Sequence, residues 1–192
     1  NKVGFIGGVE GPVIGRFQAG FEKGVADAGK KLGKDIQITS TYAGTFADAS
    51  KGRALASSMY QAGADIIYHA AATTGQGIFQ EAKALNETGS KDKVWVIGVD
   101  RDQNEDGKYT TKDGKDDNLT LASTIKGVNI AVKKISDLAL EDKFPGGEHL
   151  TYGLKDGGVD LTTEALSDQA KTAVKEAKEQ IISGDVKVPD QP

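Results

Sequence analysis

Three times in its first ninety residues this sequence passes from a short apolar run into a helix-like one, and a fourth apolar run follows at residues 93–100. KVGFIGG opens the series, followed by Pro12 and a segment with Val13, Phe17, Phe21 and Val25 on one helical face. DIQITSTYAG leads into ASKGRALASSMYQAG, which ends in Gly63. ADIIYHAAA leads into GQGIFQEAKALNETG, and KVWVIGVD comes next. The apolar runs do not alternate with polar residues, so they predict strands buried on both faces. Strands of that kind separated by helices build a parallel sheet covered on both sides. The fold class read from the pattern is α/β, doubly wound.

Beyond a polar stretch from Arg101 to Asn118, NLTLAS reads as a strand. TIKGVNIAVKKISDLAL reads as a helix with Ile125, Val128, Val132, Ile135 and Leu138 on one stripe. HLTYGL reads as a further strand. A last helix carries Leu166, Ala170, Val174, Ala177 and Ile181, with Gly184 as its cap. At 192 residues the chain can bury a proper core, and 38% hydrophobic with 27% charged residues places it in the globular class. A net charge of -4 without a basic stripe argues against a nucleic-acid partner. The lack of cysteine excludes disulfides, thiol catalysis and cysteine-held metals. No apolar run approaches the roughly 20 residues that span a bilayer. The sequence starts directly on an apolar strand, so a trimmed or partial chain is expected, with targeting signals outside it.

In an open parallel sheet, ligands bind beyond the carboxyl ends of the strands. That rule selects Gly7-Gly8, Gly44-Thr45-Phe46, Thr73-Thr74-Gly75 and Asp100. Phe46 stands between strand and helix, where a turn-forming residue would be expected. If Asp48 caps the next helix, the staple positions fall on Ala47 and Gly52, and Phe46 has no local mate. It reads either as a ring for a ligand to stack on or as ordinary packing. Asp100 ends an apolar strand, where an unpaired carboxylate is costly unless it meets water or a polar partner. Two neighbouring sugar hydroxyls can both donate to such a carboxylate; a turn-forming aspartate is the plainer reading. Lys126 is expected in the first turn of its helix, after a Ser123 or Thr124 cap, where its charge opposes the helix dipole. It is either a solvated lysine or a partner of Asp100 or of a ligand hydroxyl.

Residues 102–113 nearly match a calcium loop. Asp102, Asn104, Asp106 and Gly107 take positions 1, 3, 5 and 6, and Asp113 takes position 12. The segment follows a strand and lacks an entering helix, so a solvated acidic loop is preferred, with no metal or cofactor expected. GGVEG departs from G-x-G-x-x-G, and Glu10 would repel a pyrophosphate. His69 and His149 have no neighbouring ligand cluster, and His69 reads as a core or loop-satisfying histidine. There is no G-x-S-x-G elbow and no assembled catalytic set, so an enzyme is not expected.

Taken in order, GFIGG, GFEKGV, TYAGTFADASKGRALA, ADIIYHAAATTGQGIFQEA, VWVIGVDRDQ, LASTIKGVNIAV and YGLKDGGVDL closely resemble the basic membrane protein family of bacterial lipoproteins. These are the PnrA-like purine nucleoside-binding components of ABC importers. The resemblance runs from near Lys2 to about Val188. It implies a type I periplasmic-binding-protein fold, in which two α/β lobes close on a nucleoside. On that basis residues 1–118 are the second lobe, residues 119–192 complete it and cross the hinge, and most of the amino-terminal lobe is absent. Carried over by position, the resemblance implies that Phe46 stacks on the purine, Asp100 holds the ribose hydroxyls and Lys126 reaches the sugar with it. Backbone around Thr74 and Gly75 would approach the ribose. The implied partners are a purine nucleoside and an ABC permease, and the implied location is extracytoplasmic, through a membrane-anchored lipoprotein. A missing lobe would leave an apolar patch and favour self-association, which light scattering would read. Two other functions stay open: a sugar receptor or regulator effector domain of the same fold, and a calcium-dependent nucleoside hydrolase using Asp100 and Asp102.

Overall fold

The computed structural model describes residues 1–89 and 92–192. Its centre is a six-stranded sheet in the order β2-β1-β3-β4-β7-β8. β1 (Lys2–Gly7), β2 (Gln37–Tyr42), β3 (Ile66–Ala70), β4 (Trp95–Asp100) and β7 (Thr120–Lys126) run parallel. β8 (Val159–Leu161) closes one edge antiparallel to β7. The expected parallel sheet is thus present.

Two helical layers cover the sheet. α2 (Ala49–Gln61) and α3 (Thr73–Thr88) lie on one face. There Ile6 and Ile67 meet Ala56, Met59, Tyr60, Ile78, Phe79 and Ala82, all buried. α1 (Pro12–Leu32) lies on the other face, where Phe17 and Phe21 pack against Phe5 and Tyr68. Successive residues of one strand therefore feed opposite cores, Phe5 one and Ile6 the other. Unbroken apolar runs are what such a strand requires. α2 starts at the expected Asp48 cap, whose carboxylate accepts from Lys51 N–H at 2.9 Å. α5 (Asp168–Ser183) starts at Ser167 and ends on Gly184 in the left-handed conformation. Its Val174, Ala177 and Ile181 line a cavity of about 520 Å³ shared with Phe17, Phe21 and Tyr68.

α2 and α3 approach so closely that two glycines are obligatory. A Cβ at Gly52 would stand 1.9 Å from the Thr74 carbonyl oxygen, and one at Gly77 would stand 1.8 Å from that of Ala49. Across the same contact Arg53 pairs with the nearly buried Glu81 at 2.9 Å.

Three sequence expectations need correction. The segment read as one helix from Thr124 divides: β7 continues to Lys126, and α4 (Val128–Leu140) begins only after Gly127. Ladder pairing of Val99 with Thr124 and of Asp100 with Ile125 overrides the helical period there. HLTYGL forms no strand. It ends at a 3-10 turn over Leu154–Asp156, and the strand comes later, at β8. The polar stretch after β4 holds a small hairpin, β5 (Lys108–Thr110) with β6 (Asp116–Asn118). The stripe on α4 also stays uncovered: no residue of that helix is buried, and Val128 and Val132 are exposed.

Candidate functional site

Parallel pairing brings the carboxyl ends of β1, β2, β3, β4 and β7 to one edge, so all four sequence-selected segments meet there. The strand order reverses direction at β1, with β2 on one side and β3 on the other. That switch point is where open α/β sheets form their ligand crevice.

Phe46 reaches across this point. A Cβ on Gly8 would stand 2.2 Å from its ring, so the phenyl lies on the glycine that follows β1. Its other side is open, with the residue 40% exposed. The loop bearing it is tied down from α3. Thr74 Oγ1 donates to the Thr45 carbonyl at 3.2 Å and accepts from Asp48 N–H at 3.0 Å, and Thr74 N–H donates to the Phe46 carbonyl at 3.2 Å. Thr74 is fully buried, so its hydroxyl positions the Phe46 loop from behind. Gly75 is also buried, and a Cβ there would stand 2.2 Å from the His69 ring, so its glycine makes room for the imidazole.

Asp100 sits at the end of β4 with φ of 70°. Arg101 N–H donates to the Val99 carbonyl at 2.8 Å across it, so the chain turns sharply and the side chain faces outward. Lys126 Nζ comes within 2.7 Å of Asp100 Oδ1, and the two side chains are 44% and 49% exposed. Lys126 Nζ also stands 5.1 Å from the centre of the Phe17 ring. Lys126 therefore stands at the end of a strand, just before the Gly127 cap of α4, rather than in the first helical turn. No other protein group hydrogen-bonds the Asp100 carboxylate among the described residues, which leaves it acceptor capacity toward the open edge.

Behind this edge lies a buried polar relay. His69 Nε2 is 3.1 Å from Gln103 Oε1, and the same oxygen accepts from Val99 N–H at 2.8 Å. Burial pushes the His69 imidazole down to about 4, against the raising effect of its bond to Gln103, so the ring is neutral near pH 7. The histidine is the core, loop-satisfying residue that the sequence suggests. Tyr68, beside it on β3, places its hydroxyl 3.1 Å from Thr124 Oγ1, and burial raises its pKa above the ordinary phenol range.

Most side chains of the calcium-loop match bond other protein groups. Asp106 Oδ2 accepts from Arg101 at 2.7 Å and from Gln103 at 2.8 Å, while Asp102 Oδ1 caps Asn104 N–H at 2.9 Å. Asn104 Oδ1 accepts from Asn118 at 3.0 Å, and Asp113 lies at the tip of the β5–β6 hairpin. Strands flank the segment instead of helices, and no cluster of three acidic or histidine groups able to hold a metal occurs among the described residues.

Ala72, just before α3, holds φ of 48° and ψ of -126°, a region that strongly favours glycine. Ala72→Gly is expected to stabilise the chain by about 1 kcal/mol. Urea unfolding reads this directly. A loss of stability would show that the methyl group packs usefully.

A mostly parallel sheet with helices on both faces is the fold that solute-binding proteins share with this chain. A solute-binding protein of an ABC transporter system from Aeropyrum pernix superposes with a TM-score of 0.81 at 26% identity, over 98% of this chain and 58% of that one. The family described as ABC transporter substrate-binding protein PnrA-like matches residues 1–192, and the chain belongs to this family, Bmp. The ABC transporter nucleoside-binding protein BmpA of Lactococcus lactis subsp. cremoris is 49% identical over 192 residues, all of this chain and 54% of that protein. Basic membrane protein A of Borreliella burgdorferi is 35% identical over 98% of this chain and 51% of its own length. The chain spans about half the length of these relatives.

Proposed function

We propose that this chain supplies one wall of a purine nucleoside site in an extracytoplasmic, lipid-anchored solute receptor that delivers its ligand to an ABC permease. The base stacks on the open side of Phe46, and Asp100, paired with Lys126, accepts hydrogen bonds from the ribose hydroxyls. The observation that carries this reading is an outward carboxylate with one close cation and spare acceptor capacity, on the same sheet edge as an exposed phenyl ring. Phe46 lies over the end of β1, two strand positions from β4, or about 10 Å at ordinary strand spacing. A base joined to a ribose spans such a gap. The nucleoside-binding relative from Lactococcus supports the ligand class.

Magnitudes bound what this wall does alone. Stacking on one ring contributes about 1–3 kcal/mol and a hydrogen bond to a charged group about 1.5–3 kcal/mol. Their sum corresponds to roughly millimolar binding, whereas micromolar affinity needs about 8 kcal/mol. Tight capture requires a second wall.

Isothermal titration of inosine, guanosine, adenosine, cytidine and ribose tests the reading. Purine nucleosides are expected to bind while ribose stays silent, and Phe46→Ala is expected to weaken inosine by about 10-fold without unfolding the chain. Ribose binding as well as inosine would favour a sugar receptor. Metal-dependent release of hypoxanthine would favour a hydrolase.

A further inference from the structure

Asp100 is held in a conformation that its own chemistry does not favour. A non-glycine residue at φ of 70°, bridged by the Arg101 N–H to Val99 carbonyl bond, forms the rarer and strained kind of γ-turn. Such backbone persists only where its surroundings over-determine it. Besides the β4–β7 ladder and the Lys126 pair, one buried side chain grips the residue at the start of the turn: Gln103, which is 6% exposed.

Gln103 is bonded at every polar atom. Oε1 accepts from Val99 N–H at 2.8 Å, immediately before the turn, and Nε2 donates to Asp106 Oδ2 at 2.8 Å. Its backbone N–H donates to Ser123 Oγ and its carbonyl accepts from Thr120 Oγ1, each at 3.0 Å. An N–H can only donate and a carboxylate can only accept, so these partners fix which way the amide points. The amide orientation in turn fixes the tautomer of His69: Nε2 carries the proton toward Gln103 Oε1, and Nδ1 is bare. Nδ1 is indeed buried without a partner. Two glycines make room for the arrangement. A Cβ at Gly98 would stand 2.8 Å from Gln103 Oε1, and one at Gly75 would collide with the His69 ring.

We propose that Gln103, seated by His69, is a positioning residue that locks the Asp100 turn and thereby aims the carboxylate at the ligand edge. The locked turn places Asp100 beside Lys126 before any ligand arrives, so sugar binding does not have to order it. This inference rests on the nucleoside reading for its effect on affinity, but not for its effect on the turn.

The experiment compares the wild-type chain with Gln103→Leu and Gln103→Glu by NMR. It follows the His69 ring nitrogens, Val99 amide exchange and inosine titration into the millimolar range, with thermal unfolding as a check on folding. The wild type is expected to show a single Nε2–H tautomer and a slowly exchanging Val99 amide. Gln103→Leu is expected to mix the tautomers, speed Val99 exchange at least about 10-fold and weaken inosine by about 10-fold. Gln103→Glu keeps the acceptor oxygen for Val99 N–H, and its other oxygen faces Asp106 Oδ2, so it replaces the Nε2 donor only when protonated. In that form it is expected to preserve Val99 protection and most of the affinity. A folded Gln103→Leu that binds inosine like the wild type overturns the proposal, as does a wild-type His69 protonated on Nδ1. If Gln103→Leu does not fold, a Gln103→Glu chain that carries its proton toward Asp106 and still binds as weakly as Asp100→Ala overturns it instead. If the wild type binds no nucleoside, the nucleoside reading fails by itself, while Val99 exchange and the His69 tautomer still decide whether Gln103 locks the turn.

Discussion

Asp100→Ala is expected to weaken inosine binding by about 10- to 100-fold, the equivalent of one hydrogen-bonded charged group. The folded state should hardly suffer. The ion pair lost with Lys126 is about half exposed on both sides, and such pairs contribute only about 0–1 kcal/mol. Asp100→Gly sharpens the distinction, because it removes the carboxylate and also relieves the backbone at φ of 70°. It should bind as poorly as Asp100→Ala while gaining stability, by about 1 kcal/mol if the strain exceeds the lost ion pair. Opposite signs for binding and stability are what a strained functional turn produces. A cycle with 2′-deoxyinosine checks the assignment. Removing one hydroxyl should cost affinity in the wild type and almost nothing in Asp100→Ala. Equal losses in both proteins would mean that Asp100 does not receive the sugar.

Gly77→Ala is expected to be the most destabilising single methyl addition in the α2–α3 layer, costing about 3 kcal/mol. The atoms it would strike are backbone, the Ala49 carbonyl oxygen at 1.8 Å and Arg53 N at 2.7 Å, and backbone cannot rotate away. The two helices would have to separate, opening the contact around the fully buried Ala56, Ile78 and Ala82. A loss of that size is a large part of the roughly 5–15 kcal/mol that holds an ordinary domain folded. Urea unfolding of the two chains measures it, and a change below about 0.5 kcal/mol would refute the close packing. Gly52→Ala differs in its consequence. Its added methyl would strike the carbonyl of Thr74, the residue that fixes the Phe46 loop, so affinity should fall along with stability.

Much of the fold was legible because the strands are buried on both faces. KVGFIGG and ADIIYHAAA have no polar alternation, which only a covered parallel sheet explains. From the parallel sheet it followed that Phe46, Thr74 and Asp100 share one edge. The errors cluster where pairing is non-local or short. Ile125 and Lys126 lie in the segment read as helix, yet β4 pairs with Ile125 and β8 with both, which draws them into a strand. Nothing local marks VDL at residues 159–161 as a strand, since its pairing partner lies more than thirty residues away. Asp113-Gly114 is a turn signal for the β5–β6 hairpin, but β6 is Asp-Asp-Asn, which has no strand propensity of its own.

The site shows the same division. Asp100 and Phe46 stood out because each breaks a local rule, a charge ending an apolar strand and a ring in a turn. The pairing of Lys126 with Asp100 could be raised as an option, but its geometry depends on the β4–β7 register. Gln103 gave no local signal at all. Its role appears only when Val99, His69, Asp106 and Ser123 are seen converging on one side chain. The resting of Phe46 on Gly8 was equally invisible, since a glycine announces the space it leaves but not what fills it.

The most direct test of the central claim is a residue-resolved NMR titration of inosine into this chain. A nucleoside held between the Phe46 ring and the Asp100–Lys126 pair should shift the amides of Gly8, Phe46, Asp100 and Lys126 together, along one saturation curve, with ribose alone leaving Gly8 and Phe46 unmoved. Shifts that miss this edge, or an equal response to ribose, would contradict it.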